Sequence, residues 1–520
     1  MVRKLLLVLH TVRYLKLKQV RYQLWYRLKK AGKLEEYDSK FSRQRLTALQ
    51  FSLLPPVYKA VLNEAENRFV FLNIEEDFPE QINWNFRQHG KLWNYNLQYA
   101  NYLLQQDVSY TKKKEWLFSL YEWLEDGRLP LEPYPVSLRS INVIRLLVQE
   151  NDRDDTVLKH LHAELDFLSN RLEFHLLGNH LLENLFALLM GGAFFGEQKW
   201  MDKAQKLLVQ QLDEQVLPDG AHFELSPMYH QIILFRLLEL IDWYTKWKNK
   251  EVDFESFLRD KAAKMLSWLK QISFSNGDIP HFNDSAEGIA YGTGWLLHYG
   301  AIVGIAPEDG LPLKESGYRC FNIGNYECRV DVAPIGAAYQ PGHAHADALS
   351  FVLYIDGKPF LAELGTSTYQ IGNKRNEERS TQAHNTVVVN NQNQSELWGG
   401  FRVGKRARVD ILQDGSDCLA AQHDGYKSLG MLHRRSFRFN QNEIIVEDKT
   451  EGRNDREAIA YFYIHPSVGN SVTDQVLHFQ NAAGIEKVPY RLADGYNRYR
   501  QGTCYKVTFK EHLITVLRTR

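Results

Sequence analysis

Cysteine is scarce: only Cys320, Cys328, Cys418 and Cys504 occur in 520 residues, and no two form a CxxC pair. Four thiols cannot staple a chain this long, and without close pairs they offer no cysteine zinc site. Glycine and proline are sparse as well, at 33 and 16 residues, below the average joint usage of about 12%. Collagen-like and low-complexity architectures are thereby excluded. Net charge is missing, since 63 Lys+Arg balance 63 Asp+Glu. A whole-protein electrostatic grip on nucleic acid is not expected, although local patches stay open. Long apolar runs are absent too: no stretch reaches the roughly 18 to 20 uninterrupted residues of a membrane span.

What is present points to a globular protein. The chain is 44% hydrophobic and 24% charged, enough to bury sizeable cores. At about 150 residues per domain, the length predicts two to four domains. Aromatic residues reach 12%, a content that suits large cores and flat sugar rings alike. The N-terminus is basic, with no acid before Glu35. Arg3 and Lys4 precede the apolar run Leu5 to Leu9, but His10, Arg13, Lys16 and Lys18 interrupt it and no small-residue cleavage site follows. No secretory signal is read there. Leu17, Val20, Leu24 and Leu28 recur at helical spacing beside Arg13, Arg21, Arg27 and Lys29. Residues 1–35 therefore read as a basic amphipathic helix that packs on its own domain or lies on an anionic membrane without crossing it.

Residues 36–311 read as helical. Trp93 to Gln106, Lys113 to Asp126, Leu138 to Gln149 and Leu158 to Leu172 carry apolar residues every three or four positions. Leu181 to Met190, Trp200 to Val216, Pro227 to Trp247 and Phe257 to Ile272 continue the pattern across short loops, which suits a bundle or ring of helical hairpins. Residues 312–520 change character. Leu349 to Ile355, Thr386 to Val389, Arg406 to Leu412, Ser436 to Asn440, Glu443 to Glu447 and Lys506 to Phe509 run β-branched and aromatic, and Asp356-Gly357 marks a hairpin. The fold class expected is α+β multidomain: helices first, then an antiparallel β-sandwich.

Three constellations could carry chemistry. In Gly178-Asn179-His180-Leu181-Leu182-Glu183, Asn179 suits an N-cap, Gly191-Gly192 suits the helix end, and His180 and Glu183 share a face. A carboxylate beside an imidazole orients it and raises its basicity, though a capped surface His reads the same way. In Ser226-Pro227-Met228-Tyr229-His230, Ser226 caps a helix and Pro227 opens it. Tyr229 then lies in the first turn, where the helix dipole would lower its pKa; plain packing is the alternative. In Gly342-His343-Ala344-His345-Ala346-Asp347, an extended chain turns His343, His345 and Asp347 to one face. Two histidines so placed suit zinc when further ligands join them.

Together these motifs resemble the heparinase II/III-like polysaccharide lyases. Pro133-Tyr134-Pro135 to Arg139, Asp278 to Asp284, Arg379-Ser380-Thr381 to His384-Asn385-Thr386, and Gln394-Ser395-Glu396 to Phe401-Arg402 extend the likeness over roughly residues 90 to 460. The resemblance implies an incomplete α/α toroid followed by an antiparallel β-sandwich, with the active cleft between them. It implies β-elimination on a uronic-acid polysaccharide that is heparan-sulfate-like, alginate-like or a bacterial exopolysaccharide. Asn179 would neutralise the substrate carboxylate, Tyr229 would act as base or acid, and His343 as its partner. His180 and Glu183 match a supplementary pair used by some members. Tyr134 and Arg139 are candidates for gripping the anionic sugar, with an internal salt bridge as the other reading of Arg139. His345, Glu363 and His384 fall on the family's structural zinc ligands; the second is usually Asp, so Glu363 departs from the pattern. The compartment expected is cytoplasmic or peripheral to the membrane, with the periplasm or cell envelope of related lyases as the alternative. Two other functions fit the same residues: a toroid glycoside hydrolase using two of Glu183, Glu224 and Asp219, and a non-catalytic polysaccharide-binding or assembly protein.

Overall fold

The computed structural model describes residues 2–28, 41–452 and 456–519. Two helices open the chain, α1 (Val2–Val12) and α2 (Leu17–Leu28). The boundary expected at 35/36 lies outside the described residues, as do the side chains of Arg3, Lys4 and Lys29.

Apolar spacing then builds α3 (Lys91–Tyr99), α4 (Tyr110–Glu125), α5 (Pro133–Gln149), α6 (Asp155–Asn170), α7 (Gly178–Phe195), α8 (Gln198–Gln215), α9 (Pro227–Lys246), α10 (Val252–Ile272) and α11 (Thr293–Ile302). Neighbours in sequence pack as hairpins, α5 with α6, α7 with α8 and α9 with α10. The odd-numbered helices α3 to α11 lie side by side as an inner row, while α4 meets α6 and α8 meets α10 outside them. This is an incomplete α/α toroid. Its first segment departs from the all-helical expectation, because Val61–Asn63, Arg68–Phe71 and Ile74–Asp77 form a small antiparallel sheet. Phe69 and Phe71 from that sheet bury against Tyr102, Trp116 and Trp93. The β-branched and aromatic run Phe69-Val70-Phe71 was the signal for it.

Gly191 and Gly192 do not end α7, which runs on to Phe195 and is closed by Gly196 in the left-handed region. A Cβ at Gly191 would strike Leu165 of α6, and one at Gly192 would strike Met201 of α8. The pair exists for close helix packing.

Beyond α11 the described residues form a two-stranded ribbon, Leu397–Trp398 with Arg402–Val403, and two large antiparallel sheets. One orders Val409–Asp414, Cys418–His423, Met431–Phe439, Glu443–Gly452, His512–Arg518 and Leu477–Gln480. The other orders Gly484–Ala493, Tyr499–Phe509, Ala458–Ile464, Lys358–Leu361, Phe351–Ile355, Tyr326–Asp331 and Tyr318–Ile323, with Val387–Val389 also paired to Ala458–Ile464. Asp356 and Gly357, both at positive φ, turn the hairpin between Phe351–Ile355 and Lys358–Leu361, as a two-residue turn of this hand requires. Phe321, Val330, Phe351 and Leu353 meet Leu419, Phe437, Ile444 and Val446 between the sheets. The second sheet also faces the toroid. Phe274 stacks on Tyr354 with centroids 3.6 Å apart, and Arg329 donates to the carbonyls of Ile272 and Ser273. These contacts join the sandwich to the toroid.

Candidate active site

Inner helices of a hairpin ring run parallel, so their N-termini gather at one end. Here that end faces the sandwich, and α5, α7 and α9 present Tyr134, Asn179 with His180, and Tyr229 in their first turns. Each N-terminus carries roughly half a positive charge. A chain with no net charge thus acquires local potential suited to an anion.

Leu177 caps α7 at φ 63, so Asn179 sits inside the first turn and is not the N-cap. Glu224 accepts from the Asn179 backbone N–H (2.9 Å) and from its side-chain amide (2.8 and 3.1 Å). Gly178 makes room for this carboxylate, since a Cβ there would overlap Glu224 Oε1. Asn179 Nδ2 also lies 3.4 Å from His343 Nε2. Ser226 caps α9 by accepting from Tyr229 N, with Pro227 at the first position. Leu225, just before it, and Leu349, which ends the histidine loop, have φ 56 and 63 like the leucine at 177. Each left-handed leucine costs of order 1–3 kcal/mol; those at 177 and 225 adjoin the starts of α7 and α9, while Leu349 packs in the core between the sheets.

The stretch from Gly342 to Asp347 is a loop, not a strand. His343 stacks on Tyr229 with ring centroids 3.8 Å apart. Its Nδ1 donates to Asp284 at 2.9 Å, leaving Nε2 toward Asn179. Asp284 also accepts from His345 Nε2 (2.9 Å) and is gripped through both oxygens by the Arg375 guanidinium. Burial opposes the charge on Asp284, yet Arg375 and the two histidines hold its carboxyl well below the ordinary range. The Tyr369 hydroxyl is 3.3 Å from that of Tyr229 and 3.4 Å from His343 Nδ1. Asp284 entered the sequence reading only as the end of the Asp278 to Asp284 stretch, without a role, and Tyr369 not at all; the polar Asn283-Asp284-Ser285 run after Phe282 was the available signal.

Several expectations need correcting. For Tyr229 the expected direction reverses: burial first, then Tyr496 and the carboxylates Asp284 and Glu224, raise its pKa well above the ordinary phenol value against a lowering hydrogen bond with Tyr369. His180 pairs with Glu173 at 3.3 Å, while Glu183 is buried against Arg236 at 3.0 Å. The two therefore do not form a pair. Arg139, 2% exposed, donates to Glu164 at 2.8 Å and to the Gln98 carbonyl at 3.1 Å. It is an internal ion pair and has nothing left for a sugar. Tyr134 lines the cleft, its ring 4.5 Å from His180 and 5.9 Å from Tyr99.

The group that could hold a metal ion differs from the expected set in one member. His345, Asp347 and His384 place one ligand atom each within 4.8 Å of the others. Their buried atoms His345 Nδ1, Asp347 Oδ2 and His384 Nε2 have no hydrogen-bond partner, an arrangement that fits a cation. Glu363 stands behind, accepting from His384 Nδ1 at 2.5 Å and from the Ser350 hydroxyl. It orients a ligand, as an outer-shell carboxylate does. His345 donates through Nε2 to Asp284, which leaves its Nδ1 as the atom turned to the group; burial lowers the His345 pKa to about 3, while against burial Glu363 raises that of His384.

Comparison with known proteins matches the chain to a family. The profile "Heparinase II/III N-terminus" matches residues 147–292, and "Heparinase II/III-like, C-terminal" matches residues 306–504. A heparin-sulfate lyase of Pedobacter heparinus is 28% identical over 57% of this chain and 47% of its own length. One from Bacteroides stercoris is 24% identical over 75% of this chain and 63% of its own. The matches thus span less than two thirds of either relative. A crystal structure of heparinase III superposes with TM-score 0.67 at 18% identity, covering 93% of this chain and 88% of that one. With both halves of the fold matched in order, the chain belongs to the heparinase II/III-like family.

Proposed function

We propose that this protein is a polysaccharide lyase that cleaves a uronic-acid-containing polysaccharide by β-elimination. The observation that carries the reading is the meeting of Asn179, Tyr229 and His343 in one cleft, from two helix starts and a sandwich loop. The relatives named heparin-sulfate lyase support it.

Elimination removes the proton beside the sugar carboxylate, forms a C=C bond, breaks the glycosidic C–O bond and returns a proton to the leaving oxygen. The intermediate gathers charge on the carboxylate. Asn179 Nδ2, held by Glu224, would donate to it; one such preorganised donor is worth about 3 to 4 kcal/mol. His343 Nε2 is the base, because Asp284 keeps the other nitrogen protonated. Tyr229, held neutral, is the acid that protonates the leaving oxygen. Tyr134 and Tyr369 offer ring faces at the cleft wall. Where zinc is bound, His345, Asp347 and His384 would hold it, and it would supply a structural tie between the two segments of the sandwich.

A hydrolase is less well supported. Glu183 is spent on Arg236 and Asp219 on the backbone N–H groups of Lys314 and Ser316, leaving Glu224 without the second free carboxylate that mechanism needs. The test is incubation with heparan sulfate, chondroitin, alginate and bacterial acidic exopolysaccharides, followed by ultraviolet absorbance of unsaturated uronate ends. A lyase produces that signal; saturated ends would indicate hydrolysis, and binding without cleavage a non-catalytic role.

A further inference from the structure

The first two helices straddle the junction between toroid and sandwich. α1 lies on the sandwich, where Trp398 Nε1 donates to Thr11 Oγ1 at 3.1 Å, His10 meets Glu396 at 3.3 Å and Arg406 covers the Tyr14 ring at 3.8 Å. α2 lies on the toroid. Its buried Gln19 donates to the carbonyls of Leu176 and Tyr339, Lys16 just before it pairs with Glu214, and Tyr22 packs on Phe174 with centroids 4.7 Å apart. The protein side of both helices is thus polar and aromatic.

Their solvent side is aliphatic, the reverse of a helix that serves a core. Leu5, Val8, Leu9 and Val12 follow helical spacing along one stripe of α1, and all are exposed, Leu5 to 59%. Leu17, Leu24 and Leu28 do the same on α2, with Leu17 at 89% and Leu28 at 86%. Arg13, Lys18, Arg21 and Arg27 are exposed beside these stripes, and the first 34 residues hold no acid. Next to the stripe of α2 opens a cavity of about 290 Å³ lined by Arg21, Trp25, Tyr26, Phe174 and Lys203 among others. Aliphatic stripes, flanking bases and a basic aromatic pocket answer together to the acyl boundary and headgroups of an anionic bilayer. Among the described residues no helix is long and apolar enough to cross one.

We propose that α1 and α2 dock this protein flat on an anionic lipid bilayer, with leucines in the interface and the bases on the headgroups. Docked so, the cleft's toroid and sandwich walls are both tied to the same surface.

The test uses the full chain with vesicles of phosphatidylcholine alone or mixed with phosphatidylglycerol, read by co-sedimentation. Binding should require the anionic lipid and weaken as salt rises. A Lys18→Gln/Arg21→Gln/Arg27→Gln variant should partition on the order of a hundredfold less, at about fivefold per base. A Leu5→Ser/Leu9→Ser/Val12→Ser variant should also lose binding while keeping its melting temperature. Equal binding to both vesicle types, or to neither, overturns the proposal on the parent protein alone. So does a concentration-dependent dimer that the leucine variant abolishes, because the stripe would then face a second copy.

Discussion

Tyr229 and His343 stack at 3.8 Å, and the roles assigned to them can be separated from packing. Tyr229→Phe keeps the ring and removes the hydroxyl that would protonate the leaving oxygen. Turnover should fall at least about a hundredfold, the lower end for a general acid–base group, with a near-native melting temperature. His343→Ala should fall comparably, and the double variant little further, because groups acting as a unit are not additive. Steady-state rates on whichever acidic polysaccharide is cleaved check this, and retained elimination in Tyr229→Phe would remove the tyrosine from the mechanism. Legibility at this scale was uneven. Ser226-Pro227 announced the helix start that aims Tyr229, since capping chemistry is local. The protonation state was not legible, because it depends on burial among side chains distant in sequence.

Among elements, the six-stranded sheet holds the active loop from behind. Arg435 on strand Met431–Phe439 donates to the carbonyls of Leu349 (2.7 Å) and Asn385 (2.6 Å), beside His345, Asp347 and His384. Asp448 on the neighbouring strand accepts from both Arg435 (2.7 and 3.0 Å) and His433 (2.8 Å). Burial opposes the charge on Asp448, but Arg435 and His433 outweigh it and lower its pKa to about 2, against an ordinary 3.8. A depressed carboxyl stabilises the fold above the unfolded value and loses that contribution as pH falls through the folded one. The window here runs from about pH 4 down to about pH 2, and the contribution is on the order of 2 kcal/mol. Denaturant unfolding across that range should show the loss in the parent. Asp448→Asn should be less stable at neutrality, with Arg435 left buried and unpaired, and should show a shallower acid slope. An unchanged slope would sink the assignment.

At the scale of the whole molecule, the inner toroid helices bring their N-termini to the cleft while the sandwich supplies His343 and the His345, Asp347 and His384 cluster. Elemental analysis of protein purified without added metal should find about one zinc per chain, and chelation should lower the melting temperature. Asp347→Ala should abolish retention. Glu363→Gln should weaken it by about ten- to a hundredfold, as loss of an outer-shell partner does. Metal-free protein whose melting chelators leave unchanged would dismiss the ion, and equal losses in the two variants would return Glu363 to the first rank of ligands.

The sequence alone determined what short-range chemistry controls. Apolar spacing marked α4 to α10, Ser226-Pro227 opened α9, and Asp356-Gly357 turned a hairpin, because caps, φ preferences and periodicity act within a few residues. The order of the motifs also carried the family. Tertiary structure decided which charged groups find each other. Arg139 went to Glu164, His180 to Glu173 rather than Glu183, and Asp347 rather than Glu363 joined the two histidines. Asp284 became the node joining His343, His345 and Arg375, which follow it by 59, 61 and 91 residues. A buried charge must find a partner wherever the packed segments place one, since leaving it unpaired costs several kcal/mol. That choice is made by the meeting of toroid and sandwich, and no local pattern encodes it.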